Sequence, residues 1–522
     1  MSIELIIKRD KIILSADDGL HGINRESRDV IASSLSYKKD DYFFSEAYQS
    51  GRWSGVYELY HKRKSIDEAG ITHFNGDGDW YSTGFLSRTI DSWKRVGASI
   101  SDKRGVPNIF IDETKPSFTG LRQYQKEAVI SLLSNQVDSL PIPRGIINLP
   151  PRTGKTRVAA GILDQIREAR PAIFVVERID LARQTVKALR EVLDEPIGLV
   201  GDGEVDIQPI TVITIQSLHM AFDLQYEKQG KAEYLERALA KKMPVVALVS
   251  KAQVFIVDEV HHVTALSYQK AIAKAINAWC IFGLSGSPWT DNGSDLLLES
   301  TVGPIIFERG HTYMVENGFL VPVGVFFFRL PKIYCYSGHF QAVYKAAVVD
   351  NPVKSYCIVN SANSLISESN SVAILTVQKQ HAKDLAKQID YEAVVLTGDE
   401  RGSYRKDVYD KLSRKKIFCI VSTVFSEGID VPSLNAGINA DGGVDSRRAW
   451  QRLRMATPWV DPLTGKKKTR GIYIDFLHEE KHLLGHSQMR LGYYKSEPSF
   501  KVKILDYRND LRVKFEGEVA FA

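Results

Sequence analysis

The sequence of 522 residues has little cysteine and no long apolar run. Its four cysteines are Cys280, Cys335, Cys357 and Cys419. None forms a C-x-x-C pair, so we expect no zinc site, and scattered thiols in a long chain are typical of a reducing cytoplasm. No apolar stretch approaches the ~20 residues that a membrane helix needs. Residues 1–15 alternate apolar and charged side chains, so we expect no signal peptide.

A strong charge imbalance is also lacking. The chain has 68 basic and 63 acidic residues, a net charge of +5, which neither requires nor excludes a polyanionic partner. Internal repeats and low-complexity tracts are absent from the sequence. Hydrophobic residues make up 44% and charged residues 25%, the balance of a globular protein, and the length suggests roughly three domains.

The first part of the chain, residues 1–104, is predicted to be a small mixed domain that binds nucleic acid. Its patterns predict a hairpin over residues 4–14, a helix over 24–35, strand-like structure over 42–60 and a helix over 83–96. Residues 105–120 contain two prolines and two glycines and are predicted to form a linker.

From residue 121 short apolar runs alternate with helical periodicity, which is typical of a parallel α/β sheet. The predicted strands form two series: 145–149, 172–176, 210–215, 254–257 and 281–284, then 372–375, 393–396, 417–421, 437–438 and 471–474. Two series predict two doubly wound domains, over residues 121–308 and 309–485. We expect a helical insertion over 222–251 and a basic, aromatic C-terminal tail over 486–522.

A candidate phosphate loop follows the first of these strands. Gly154, Lys155 and Thr156 stand between an apolar run and a helical pattern, so backbone N–H groups at a helix N-terminus would face phosphates. Lys155 would reach the β- and γ-phosphates and the Thr156 hydroxyl would bind Mg²⁺. The strict phosphate-loop pattern has glycine where Leu149 stands, and an ordinary strand–turn–helix is the alternative.

The fourth strand of the first series runs directly into two carboxylates. Asp258 and Glu259 would lie at the carboxyl edge of the sheet, where ligands bind in such folds. Asp258 would hold Mg²⁺ and Glu259 would orient the attacking water; an N-cap pair for the following helix is the alternative. For His261 we predict a hydrogen bond that links the nucleotide site to the rest of the protein, and for His262 a packing role.

Asp258-Glu259-Val260-His261 completes a D-E-x-H box, and from here the chain resembles the superfamily 2 helicases over residues 121 to about 475. The resemblance implies two RecA-like domains, an ATP hydrolase activity, and ATP and Mg²⁺ as cofactors. It implies that Arg122 and Gln125 contact the base of the nucleotide, and that Gly428 and Asp430 of the fifth motif also face the nucleotide. The remaining nucleotide-binding residues are those of the loop: Pro151, Arg152, Thr153, Gly154, Lys155 and Thr156.

The same resemblance assigns residues to nucleic acid. Of the segment 177–184, only Arg178 and Gln184 match the family. The other assigned residues are Thr214, Gln216, Thr376 and Thr423. Ser285-Gly286-Ser287-Pro288 takes the place of the S-A-T-P box that couples hydrolysis to movement.

The sixth motif departs from the family pattern Q-x-x-G-R-x-x-R. Without a gap, Met455 and Pro458 occupy the positions of the two arginines; with one residue deleted, Arg454 takes the first. We expect Arg454, or else Arg452, to be the arginine that stabilises the γ-phosphate, with Gln451 beside it in the catalytic set.

The N-terminal domain contains a glycine-flanked Arg52-Trp53 pair that resembles the G-x-W-x-G segment of phage UvsW-type helicases, whose plan is like that of XPB and RecG. A tryptophan that anchors a small core is the alternative. The resemblance implies remodelling of branched DNA in recombination, replication-fork or repair intermediates.

We therefore expect a DNA partner ahead of RNA, no membrane, a monomer on DNA, and a cytoplasmic location, in a bacterial host if a phage encodes the chain. Basic residues over 445–470 would contact the phosphate backbone, and a solvated loop is the alternative. Two rival functions are open. The first is another enzyme of the same kind, either an RNA helicase or the translocating subunit of a restriction or defence system. The second is a nucleic-acid-binding protein with an inactive nucleotide site.

Overall fold

The computed structural model describes residues 3–16, 25–38, 49, 56–61, 64–66, 72–74, 79–222, 232–264, 266–287, 295–335, 339–424, 431–443, 454–461 and 465–508. The chain divides into two compact units. Unit 1 is Met1–Leu149 with Gly154–Arg309, and unit 2 is Pro150–Thr153 with Gly310–Ala522. No helix in the described ranges is both long and apolar enough to cross a membrane.

The N-terminal region is a small α+β structure, as predicted. Its strands are β1 (Ile3–Ile7), β2 (Lys11–Ala16), β3 (Ser36–Tyr37), β4 (Tyr57–Glu58), β5 (Tyr60–His61), β6 (Lys64–Ile66), β7 (Thr72–Phe74), β8 (Asp79–Ser82) and β9 (Ser99–Asp102), and its helices are α1 (Arg25–Ser34) and α2 (Leu86–Arg95). The main sheet has the order β5-β8-β2-β1-β9. The predicted hairpin is confirmed as the antiparallel pair β1 and β2, and the two predicted helices are confirmed within one to three residues.

This region packs within unit 1 and is not a separate body. The Arg88 guanidinium donates to the Glu299 carboxylate at 2.8 and 2.5 Å, and Arg9 Nη1 donates to the Asn277 carbonyl at 2.8 Å. Gly84 lies so close to the helix Asp295–Val302 that a Cβ there would be 2.3 Å from the Glu299 carbonyl oxygen, so glycine is required at this contact.

The remainder of unit 1 is a parallel α/β domain. Its strands are β10 (Gln136–Val137), β11 (Leu140–Pro141), β12 (Arg144–Asn148), β13 (Ala172–Val176), β14 (Ile197–Gly201), β15 (Glu204–Asp206), β16 (Ile210–Thr214), β17 (Val254–Asp258), β18 (Cys280–Ser285) and β19 (Ile305–Glu308). Its helices are α3 (Pro116–Thr119), α4 (Gln123–Leu133), α5 (Lys155–Gln165), α6 (Ile179–Arg190), α7 (Ile215–Phe222), α8 (Ala232–Lys251), α9 (Leu266–Ile272) and α10 (Asp295–Val302).

The main sheet of this domain has the order β15-β14-β16-β13-β17-β18-β12-β19. The central strands are buried at nearly every residue, which explains their continuous apolar runs, since helices cover both faces of a parallel sheet. All five predicted strands are confirmed, and α8 lies within the predicted helical insertion. Strands β14, β15 and β19 of this sheet were not predicted.

Unit 2 contains a second parallel sheet, with the order β22-β23-β21-β24-β25-β20-β26. Its strands are β20 (Val323–Arg329), β21 (Val372–Leu375), β22 (Ala393–Leu396), β23 (Cys419–Ser422), β24 (Ala436–Asn439), β25 (Gly471–Leu477) and β26 (Phe500–Asp506). Its helices are α11 (His311–Glu316), α12 (Phe340–Tyr344), α13 (Pro352–Ser367), α14 (Lys379–Ala386), α15 (Gly402–Ser413) and α16 (Leu483–Ser496). The predicted fold class, two RecA-like domains after a small α+β region, is confirmed.

The prediction of a separate tail from residue 486 is wrong for the described residues. Helix α16 leads into β26, which pairs in parallel with β20 along its whole length. Tyr494 is fully buried and packs on the rings of Phe327, Tyr473 and Phe500. Tyr494 and Phe500 therefore belong to the core of unit 2, because burying such rings is worth more than exposing them.

Candidate nucleotide site and nucleic-acid interface

Three neighbouring strands end at the candidate nucleotide site. Strand β18 lies between β17 and β12 in the sheet, and the register places Asp258 opposite Leu284 and Asn148 opposite Ser285. The segments that follow these strands therefore meet at one edge: the phosphate loop after β12, Glu259 after β17, and Gly286 after β18. In open parallel sheets the carboxyl edge is where ligands bind.

The phosphate loop turns through left-handed backbone. Arg152 has φ +72° and Gly154, the N-cap of α5, has φ +82°. A Cβ on Gly154 would lie 2.5 Å from Gln125 Nε2, so the loop and the predicted base-reading glutamine are in direct contact. Thr153 is buried and its hydroxyl donates to the Pro150 carbonyl at 2.7 Å. The departure from the strict pattern at Leu149 does not prevent the loop from forming.

Arg122 and Gln125 cap helix α4. The Arg122 backbone N–H donates to Gln125 Oε1 at 2.9 Å, which fixes the amide of this buried side chain with its Nε2 towards Gly154. The predicted residues Gln125, Gly154 and Lys155 therefore lie together. Their binding of a nucleotide base stays a prediction.

Lys155 lies between the loop and the carboxylates. Its Nζ is 3.6 Å from Glu259 Oε1 and donates to the Leu149 carbonyl at 3.4 Å. Burial, followed by repulsion from Glu259, raises the pKa of Asp258 to about 7, and the Lys155 ammonium counteracts this rise. Burial acts in the same direction on Glu259, but Lys155 and the two histidines hold the pKa of Glu259 below its ordinary value.

The backbone at Glu259 is strained, with φ +48°. A non-glycine residue in this region costs of order 1–3 kcal/mol and persists where the surroundings enforce it, which is frequent at active sites. This conformation turns the carboxylate back towards Lys155 and Ser285. These contacts of Glu259 with Lys155 and Ser285 favour a role in the site over the alternative of an N-cap pair.

Ser285 connects the D-E-x-H box to the segment after β18. Its hydroxyl donates to Glu259 Oε2 at 3.4 Å, lies 3.3 Å from His261 Nδ1 and accepts from the Ser287 N–H at 3.1 Å. Ser285 is fully buried and His261 nearly so. The predicted hydrogen bond of His261 is therefore present, and it joins the carboxylates to the S-G-S segment. His262 lies 3.7 Å from Glu177.

Two protein families match the chain. The family described as Type III restriction enzyme, res subunit, matches residues 118–289, which include the phosphate loop and the D-E-x-H box. The family described as Helicase conserved C-terminal domain matches residues 356–454, which include Thr376, Thr423 and Arg454. The chain is a superfamily 2 helicase of the DExH type.

The helicase is similar to proteins of several kinds. The DNA 3'-5' translocase XPB2 of Sulfurisphaera tokodaii is 27% identical over 380 residues, 64% of this chain and 77% of that protein. The structure of a variant of S. cerevisiae Dbp5 bound to RNA and ADP BeF3 covers 78% of this chain and 97% of its own, at 14% identity and a TM-score of 0.51. T4 UvsW covers 97% of this chain and 100% of its own at 16% identity, with a TM-score of only 0.39.

The nucleic-acid residues predicted in the first motor domain lie beside the nucleotide site along the same sheet edge. Arg178 follows β13 and Thr214 ends β16, the strand next to β13, while Gln216 is in the first turn of α7. Arg178, Gln184 and Gln216 are exposed, whereas Thr214 is buried and shares a hydrogen bond with Ser217 at 3.0 Å. The residues predicted for the nucleotide and those predicted for nucleic acid thus lie at different parts of one sheet edge.

In the second motor domain Thr376 and Thr423 follow the neighbouring strands β21 and β23. Thr423 is half-buried, but Thr376 is buried and its hydroxyl lies 3.2 Å from His381 Nδ1. A contact of Thr376 with nucleic acid would therefore use its backbone. Gly428, Asp430, Gln451, Arg452, Arg52 and Trp53 lie outside the described residues.

Arg454 opens the short 3₁₀ helix Arg454–Ala456. Its neighbour Met455 is fully buried: a Cβ on Gly437 would lie 2.5 Å from Met455 Cε, and one on Gly471 would lie 2.7 Å from Met455 Cγ. Met455 is thus a core residue. This favours the gapped alignment, in which Arg454 and not Met455 takes the position of the first arginine.

We expect Ser285→Ala to reduce the stimulation of ATP hydrolysis by DNA about tenfold or more, because the substitution removes the atom shared by Glu259, His261 and Ser287. Nucleotide affinity should change little, since Lys155 and the phosphate loop are intact. The measurement is the hydrolysis rate with and without DNA, and Ser250→Ala, which removes an exposed hydroxyl bonded to Ala247, is the control. Equal stimulation in both variants would contradict this role.

Proposed function

We propose that this helicase is an ATP-driven motor that moves along DNA and remodels branched DNA such as recombination, replication-fork or repair intermediates. The observation that carries the proposal is the contact set at one sheet edge: Lys155 beside Glu259, with Ser285 and His261 behind them. A phosphate-binding lysine, a water-orienting carboxylate and a polar connection to the rest of the domain are the parts that phosphoryl transfer requires.

The residues at this edge fit a magnesium-bound triphosphate. The first N–H groups of α5 are oriented out of its N-terminus, which attracts phosphate. Asp258 is a desolvated carboxylate with a raised pKa, as expected where a cation would offset the cost of burying a charge. Thr156 and Asp258 would hold the ion together with the phosphates. Bound Mg²⁺ would neutralise charge that develops on the phosphates.

Hydrolysis would use the protein mainly for positioning. Glu259 would accept a hydrogen bond from the attacking water, and Lys155 would leave Glu259 to contact the phosphates. His261 and Ser285 would transmit the change at Glu259 to the segment Ser285-Gly286-Ser287. Arg178 and Gln216 would hold the sugar–phosphate backbone, and alternating grip by the two motor domains would advance the protein along the strand. Phosphate contacts position a strand without reading its sequence.

The choice of DNA rests on the similarity to XPB2, which is named a DNA translocase, and on the N-terminal resemblance in sequence to UvsW-type proteins. We propose further that the helicase acts as a monomer and in the cytoplasm. An RNA helicase and a restriction or defence translocase subunit remain the alternatives within the same fold.

The proposal predicts which nucleic acids stimulate ATP hydrolysis. The rate is measured with single-stranded DNA, duplex DNA, a four-way junction and RNA at equal nucleotide concentration and at two salt concentrations. We expect the junction to stimulate most, and the stimulation to decrease as salt rises, because phosphate contacts release counterions. Stimulation by RNA alone would contradict the DNA assignment. DNA binding without any hydrolysis would indicate the inactive nucleotide site instead.

A further inference from the structure

Residues 439–443 connect the end of β24 to the segment that contains Gln451, Arg452 and Arg454. This connection, which we call the β24 turn, is held by side chains from four other elements of unit 2, namely α12, α13, β25 and α16. Loops usually lie on the surface and bond to water. The β24 turn instead contacts buried charged groups, which ties its position to the core of the unit.

Asp441 organises the backbone of the turn. Its Oδ1 accepts from the N–H groups of Gly442 at 2.7 Å and Gly443 at 3.2 Å, and from the Tyr344 hydroxyl at 2.7 Å. The Asp441 N–H in turn donates to Asn439 Oδ1 at 3.2 Å. One carboxylate oxygen thus fixes the direction in which the chain leaves the sheet.

Arg490 of α16 holds the same turn from the other side. The guanidinium donates to the Asp475 carboxylate at 2.9 and 3.0 Å and to the Gly443 carbonyl at 2.5 Å, and it is 2% exposed. Asp475 also accepts from Asn439 Nδ2 at 3.1 Å. The planar fork of arginine allows these simultaneous bonds, which lysine cannot reproduce.

Lys354 is fully buried and donates to the carbonyls of Ala440 at 2.9 Å and Asp441 at 3.4 Å. Burial lowers the pKa of Lys354 to about 7. A buried ammonium is costly, and here it is directed at backbone carbonyls of the β24 turn and lies over the Phe476 ring.

The other end of the sixth-motif segment is also anchored to the sheet. Met455 fills the space left by Gly437 and Gly471, and the Ala456 carbonyl accepts from the Val321 N–H at 2.8 Å. The chain is therefore anchored to the sheet at the β24 turn, which precedes the sixth motif, and at Met455 and Ala456, which follow Arg454.

We propose that Arg490, Lys354 and Tyr344 are positioning residues for the sixth motif: through the β24 turn they set where its arginine stands during hydrolysis. This inference rests on the proposed function and deepens it. Displacing a catalytic group by about 1 Å can lower a rate about a hundredfold, so loss of one such contact should change turnover more than nucleotide binding.

The experiment compares Tyr344→Phe and Arg490→Lys with Ser371→Ala in the full-length protein. Ser371→Ala is the matched control because it removes a fully buried hydroxyl, bonded to the Ser433 carbonyl, at the amino end of β21 in the same unit. We expect Tyr344→Phe to lower kcat for DNA-stimulated ATP hydrolysis about tenfold and Arg490→Lys to lower it more, with KM for ATP within about twofold of the wild-type value. Ser371→Ala should keep the wild-type kcat at a comparable thermal midpoint.

A kcat of Tyr344→Phe equal to that of Ser371→Ala would overturn the inference, and so would a loss explained entirely by a lower fraction of folded protein. If Arg490→Lys does not fold, Tyr344→Phe decides, since it removes one hydroxyl and keeps the ring. Failure of the proposed function gives a different result, because the wild-type protein itself would then show no stimulated hydrolysis.

Discussion

Replacing Glu259 by glutamine is expected to lower DNA-stimulated ATP turnover by about 10²–10⁴-fold while the protein still binds nucleotide. The amide has the size of the carboxylate but cannot accept a proton from water. Lys155 and the phosphate loop are untouched, so binding of a fluorescent ATP analogue should persist. The substitution also removes the ion pair of Lys155 with Glu259, which leaves Lys155 available to the phosphates.

Glu127→Gln is a suitable control for this prediction. Glu127 is a carboxylate of the same unit that forms an ion pair with Arg309 at 2.7 Å, away from Lys155 and Ser285. Both side chains of this pair are about one-third exposed. A pair near the surface is worth ~0–1 kcal/mol, so turnover should stay within about twofold of wild type. If Glu259→Gln kept turnover at the level of Glu127→Gln, Glu259 would not be the residue that orients water.

Arg454→Ala should reduce turnover by about 10³–10⁵-fold, which is the contribution of an arginine that stabilises the γ-phosphate in the transition state. The burial of Met455 supports this choice, because it excludes the adjacent position from contact with the nucleotide. Arg452→Ala is measured in parallel, since Arg452 is the second candidate. The assay is ATP hydrolysis at saturating DNA, with nucleotide affinity determined separately.

Arg414→Ala, at an exposed arginine after α15, serves as the control for lost positive charge. A large loss in Arg454→Ala together with near-normal turnover in Arg452→Ala would identify Arg454. The reverse pattern would move the role to Arg452. Turnover within tenfold of wild type in both variants would show that the sixth motif of this chain supplies no essential arginine.

Most central strands of both sheets could be predicted from the sequence because burial on both faces leaves continuous apolar runs, although the buried strands β14 and β20 were missed. Of the edge strands, β22 was predicted, whereas β15, β19 and β26 were not. Strand β26 alternates apolar residues with lysine in its first half and ends on Asp506, a pattern that resembles a basic tail, yet it pairs with β20 along seven residues. An edge strand has a neighbouring strand on one side only, so its sequence carries less of the apolar pattern that identifies a strand.

The candidate site could be predicted where a motif brings residues together within a few positions, as for Gly154 to Thr156 and Asp258 to His261. The contacts between motifs could not be predicted, because they depend on the order of the strands in the sheet. That order places Ser285 beside Glu259 although 26 residues separate them. The strained backbone at Glu259 has no signature in its residue type, because glutamate rarely adopts positive φ.

The polar network around the β24 turn could not be predicted from the sequence. Arg490 falls in the segment predicted to be a basic tail, whereas it is a buried partner of Asp475. One signal was present: Asp475 interrupts the apolar strand β25, and a charge inside a buried strand requires a partner. Its partner lies 15 residues later, on a helix whose packing could not be derived from the sequence.

The most direct test of the proposed motor is displacement of a third strand from a DNA triplex, which reports movement along duplex DNA without requiring strand separation. The wild-type protein should displace the strand with ATP and Mg²⁺, but not with a non-hydrolysable analogue, and Glu259→Gln should not displace it with either. Triplex DNA that stays intact although the wild-type protein binds it and hydrolyses ATP would contradict translocation along duplex DNA.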